Sequence, residues 1–77
     1  MKVLIENVGC DSTTSTIMDL EQKELDILIK FAKENNKNSS DVCEPSIRIY
    51  TEFELIKEKR FDYSYYRINY GSNLVED

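Results

Sequence analysis

The chain has 77 residues, two cysteines, no histidine and a formal net charge of −5. A chain this short buries only roughly 60% of the surface its unfolded form exposes, which confines it to one domain (residues 1–77) and one small core. The missing histidine removes the commonest general base and metal ligand, and the acidic balance argues against unaided binding to nucleic acid.

Residues 2–8 (KVLIENV) are β-rich and bounded by Gly9. Residues 9–12 (GCDS) have turn chemistry, glycine for positive φ and Asp and Ser for local side-chain bonds. The Thr-rich run at 13–18 returns from that turn, so the two runs predict a hairpin. Alternation and Glu6 set the first residues apart from a secretory leader. No run of eighteen apolar residues is present, so no membrane partner is expected and the predicted location is cytoplasmic.

Residues 20–37 (LEQKELDILIKFAKENNK) form the most strongly patterned stretch. Leu25, Leu28, Ile29 and Ala32 fall at i, i+3, i+4 and i+7, the spacing that turns one helical stripe into a core. Glu21, Glu24 and Asp26 precede Lys30, Lys33 and Lys37, an order that complements the helix dipole. Two starts compete. Asp19 as N-cap puts Gln22 at N3 as a capping box, whereas Glu21 as N-cap pairs Leu20 and Leu25 as a hydrophobic staple. Asn35, Asn36, Asn38, Ser39 and Ser40 predict an end near Asn36, because such side chains compete for nearby backbone.

A polar loop at 38–45 holds Cys43 and the only proline. Residues 46–55 then alternate as a strand, with Ile47, Ile49, Phe53 and Leu55 inward and Arg48, Glu52 and Glu54 outward. A charged turn is expected at 57–60, followed by an aromatic strand at 61–70. In that strand the aromatic parity switches, which predicts a β-bulge at Tyr65 and Tyr66. A short helix starting at a Thr51–Glu54 capping box is the competing reading of residues 51–60. Residues 71–77 read as a frayed tail. Together these elements predict an α+β fold of ββαββ type. One helix packs on a four-stranded antiparallel sheet of order 2-1-3-4, and the second sheet face stays open.

Chemistry is sparse. Two glycines supply neither a dinucleotide fingerprint nor a P-loop, and the serines have no histidine to activate them. Cys10 and Cys43 with Asp11 or Asp41 make too poor a set for zinc. The same two thiols are expected to be reduced, although the proposed strand order makes a bond between them geometrically conceivable. No catalytic residue, cofactor site or metal site is therefore predicted, and the chain is not expected to be an enzyme.

Two features remain. Residues 38–56 carry a net charge of −3, and Tyr50, Tyr63, Tyr65, Tyr66 and Tyr70 crowd the second hairpin with Arg48 and Arg67. Aromatic and arginine side chains dominate interface hot spots. The candidate partner-binding residues are Asp41, Glu44, Tyr50, Glu52, Glu54, Tyr65, Tyr66 and Arg67.

The run at 5–14 (IENVGCDSTT), residues 18–20 (MDL) leading into a charged helix, and residues 43–47 (CEPSI) carry a resemblance. They resemble small acidic proteins encoded by phages and mobile elements of AT-rich bacteria, the anti-CRISPR-like kind among them. The resemblance implies a setting, the cytoplasm of a bacterial host, and brings no catalytic residues. It implies an inhibitor that binds a protein partner through a basic, nucleic-acid-binding surface such as that of a CRISPR-Cas effector. The alternative is a non-enzymatic interaction or assembly module. Either is expected as a monomer or homodimer.

Overall fold

A computed structural model describes residues 1–38 and 46–76, the side chain of Asn38 excepted. The elements run β1 (Lys2–Val8), β2 (Thr13–Asp19), α1 (Gln22–Asn38), β3 (Ser46–Tyr50), β4 (Phe53–Arg60) and β5 (Tyr63–Tyr70). The class is α+β, as the patterning implies, but the strands form two sheets, β2-β1-β3 and β4-β5. The expected single sheet of four strands is therefore replaced by a three-stranded sheet and a separate two-stranded arm.

The first hairpin closes where Gly9 N–H donates to Ser12 O at 2.8 Å. Its register pairs Val3 with Met18 and Ile5 with Thr16, and β3 adds on the far side with Ile5 opposite Ile49. Period-2 alternation then puts Val3, Ile5, Ile47 and Ile49 on the face that receives α1. There they pack with Leu20, Leu25, Leu28, Ile29 and Ala32, and with Leu74 and Val75 from the C-terminal end.

At the start of α1, the hydrophobic staple prevails over the Asp19 capping box. Glu21 N–H donates to Glu24 Oε1 at 3.0 Å, and Leu25 N–H donates to Glu21 O. Leu20 and Leu25 are both buried, so the cap is fixed by the apolar pair flanking it. Asp19 instead accepts from the terminal ammonium of Met1 at 2.9 Å, which holds its carboxyl below its ordinary range.

The outer edge of β3 is closed. The Asn36 amide both donates to Ile47 O (2.9 Å) and accepts from Ile47 N–H (2.8 Å), imitating a neighbouring strand. Ile49 N–H donates to Asn73 Oδ1, and Leu74 N–H donates to Ile49 O. The residues read as a frayed tail are therefore structural through Glu76, with Val75 in the core at 6% exposure.

The second half of the chain departs most from its reading. The strand expected over 46–55 breaks at Thr51 and Glu52, and the charged turn expected at 57–60 is the outer half of β4. The two-residue turn lies instead at Phe61 and Asp62, between the paired residues Arg60 and Tyr63. Phe61 adopts φ 56° there. The bulge is also absent, since pairing runs without a break from Phe53–Tyr70 to Arg60–Tyr63. The parity switch puts aromatics on both faces of an arm that has no buried face to specify one.

Candidate functional site

The β4–β5 arm carries the tyrosines. Strands of eight residues reach about 27 Å, and the molecule measures 43 × 31 × 18 Å along its principal axes. No residue of the arm is buried. Phe61 is 84% exposed at the tip, Tyr66 66% and Tyr63 53%.

The base of the arm is fixed at three points. Gly71 N–H donates to Glu52 O at 2.7 Å, extending the ladder by one step. A Cβ at Gly71 would lie 2.6 Å from Glu52 Cβ and 2.9 Å from Glu52 O, so only glycine lets the two chains approach this closely. Tyr70 packs its ring on Tyr50 with centroids 4.6 Å apart. Its hydroxyl donates to Glu6 Oε2 at 2.9 Å, on the sheet face opposite α1. Glu6 is buried, so this bond satisfies a carboxylate that would otherwise be costly. Burial, and then the bond to Glu6, push the Tyr70 phenol up to about 12. The face expected to stay open is thus partly covered by this contact, with Leu4 and Tyr50 also buried on it.

Along the arm, the cross-strand register groups the candidate residues. Glu54, Tyr65 and Arg67 share one face with Glu58, and Tyr66 lies on the other with Leu55 and Ile68. Glu58 accepts from Tyr65 Oη at 2.8 Å and from Arg67 Nε at 2.7 Å. The Tyr65 bond, with the Arg67 bond, draws the Glu58 carboxyl below its ordinary range; the same bond raises the Tyr65 phenol. Tyr63 and Tyr65 are in ring contact at 6.1 Å, and the Arg60 guanidinium lies 5.7 Å from the Phe61 ring.

Of the other candidates, Glu52 sits at the hinge and Tyr50 is buried in β3 at 6% exposure. Asp41, Glu44 and Cys43 lie outside the described residues, whereas Cys10 is exposed. Among the described residues no cluster of metal-ligating side chains occurs, and no helix is long and apolar enough to cross a membrane.

Patterning by a single stripe missed a second surface. Ile5, Met18, Leu20, Ile27, Leu28 and Phe31, with Glu24, line an open groove of about 430 Å³ between α1 and β2. Ile27 is 71% exposed and Phe31 61%. The signal was present in the sequence, because Ile27 and Phe31 are an i, i+4 apolar pair beside the core stripe.

Comparison of the chain with family models, curated proteins and solved structures returns no match.

Proposed function

We propose that this chain is a stoichiometric, non-enzymatic protein ligand that blocks a basic, nucleic-acid-binding surface of a larger partner, such as a bacterial defence effector. The observation that carries the reading is the arm tip. Phe61 is a bulky residue in the left-handed region with its ring in water, a conformation that costs about 1–2 kcal/mol. The two-residue turn itself requires that positive φ; the choice of a large exposed aromatic there, where glycine or asparagine would be strain-free, suits an anchor presented to a pocket. Charge supports the choice of partner. Residues 57–70 carry +2 and the rest of the chain −7, so an acidic body would be steered toward a basic surface while the arm anchors it.

The test separates stability from binding. Phe61→Gly relieves the backbone strain and is expected to raise the melting temperature while speeding dissociation from the captured partner. Glu52→Lys with Glu54→Lys is expected to slow association and to reduce its salt dependence. A Phe61→Gly protein that is more stable and dissociates at the wild-type rate removes the arm tip from the interface. Salt-independent association, unchanged in the double mutant, removes the acidic steering. The assembly reading is favoured by a different observation, the bare edge of β2.

A further inference from the structure

We infer that two copies of this chain associate through β2, edge to edge and antiparallel, joining their sheets into one six-stranded sheet. The inference is independent of the arm. Its starting point is the contrast between the two edges of the β2-β1-β3 sheet.

At β3 the outward backbone groups belong to Ile47 and Ile49, and all four of them are bonded to Asn36, Asn73 or Leu74. At β2 the outward residues follow from the hairpin geometry. Gly9 N–H bonds to Ser12 O at one end and Leu20 N–H to Met1 O at the other. Alternation between these two bonds turns Ser12, Thr14, Thr16, Met18 and Leu20 toward β1. The N–H and C=O groups of Thr13, Ser15, Ile17 and Asp19 therefore point away from it. Among the described residues nothing pairs with them, and every residue of β2 is exposed. Residues 13–18 also lack the usual protection of an edge strand, having no lysine, proline or other charge.

A second copy fits this edge better than an unrelated strand, for two reasons. First, an antiparallel pair about a dyad at Thr16 sets Thr13 against Asp19 and Ser15 against Ile17, so each outward residue meets an outward residue. Second, that dyad is level with the apolar groove. From Asp19 back to Thr16 is about 10 Å of strand, and from Gln22 to the midpoint of Ile27 and Phe31 is about 10 Å of helix. The exposed Met18, Ile27 and Phe31 of both copies then flank the junction on the face of the joined sheet that carries α1.

Sedimentation of the intact wild-type chain over a concentration series tests the association. Mass should rise with concentration from 9.1 kDa to twice that value. Ile27→Lys changes a residue that is 71% exposed and should leave the fold intact while weakening the dimer at least about thirty-fold. Ser15→Pro removes an outward N–H without touching the bonds to β1 and should have the same effect. In a Cys10→Ser, Cys43→Ser background, Thr16→Cys should form a covalent dimer under mild oxidation. The dyad brings that position against itself in a close, non-hydrogen-bonded pair. Thr14→Cys, which faces Met18 across the dyad, should not. A wild-type mass of 9.1 kDa up to the solubility limit overturns the inference. So does a dimer undiminished by Ile27→Lys in a folded protein, or one that Thr16→Cys fails to cross-link.

Discussion

In the β1–β2 hairpin, Val3 and Leu4 are almost wholly buried on opposite faces of one strand; in the β4–β5 hairpin no residue is buried at all. Both hairpins have long, unbroken ladders, but they are held differently. A one-residue slip of β1 would carry Val3 and Ile5 off the α1 face and put Glu6 beneath the helix, so packing sets its register. The arm has only cross-strand pairs, a tight turn and the anchor at its base, and an isolated hairpin is marginal in water. The arm is therefore expected to open locally at a lower free energy than the body. That difference is what allows a small protein to keep a stable core while presenting an adaptable surface.

The comparison breaks most completely if the body is attacked. Ile49→Asp places a charge at a fully buried position facing α1 and should abolish cooperative folding. An unpaired buried charge costs several kcal/mol, and a core of this size supplies about 3–5 kcal/mol. A cooperative melt near the wild-type temperature would show that the core lies elsewhere. Leu28→Asp, at a half-buried position of the same helix, should cost less.

Gly71→Ala tests the joint between the two regions. Its Cβ would meet the Glu52 backbone, so one chain must move, at about 1–3 kcal/mol by analogy with overpacked sites. Amide exchange should accelerate across residues 53–70 and stay slow in β1. Uniform acceleration in both would make arm and body one cooperative unit.

Tyr70→Phe has the smallest expected effect, about 1–2 kcal/mol, by leaving the buried Glu6 carboxylate without its donor. The wild type should show the matching pH dependence. The Tyr70 phenol is raised to about 12 from an ordinary 10, so its contribution is complete below pH 10 and is lost as pH climbs toward 12. Stability of Tyr70→Phe should lack that component of the alkaline fall. Identical alkaline melting of the two proteins would assign it to the other tyrosines.

The sequence by itself determined the local elements of the first half. Gly9 and its neighbours mark a turn, the alternation of residues 2–8 marks a strand, and the Leu25–Ala32 stripe marks a helix; each depends on neighbours within about eight residues. The absence of histidine and the tyrosine-rich stretch were equally legible. Only the tertiary structure decided what residues 46–76 do. Residues 46–55 alternate throughout, so nothing local says that the first five join the main sheet and that the strand resuming at Phe53 leaves it. The break is set by where Glu52 meets Gly71, contacts between residues far apart in sequence. The turn at Phe61 was hidden because it lacks the glycine or asparagine that normally marks a positive φ, and Lys57 to Arg60 resembled a loop only by charge. Asn36, Asn73 and Val75 acquire their roles from the edge of β3 they close, and Ile27, Phe31 and Met18 from the partner their groove is left without. Those assignments depend on which surfaces remain uncovered once a short chain has spent its apolar residues on one core.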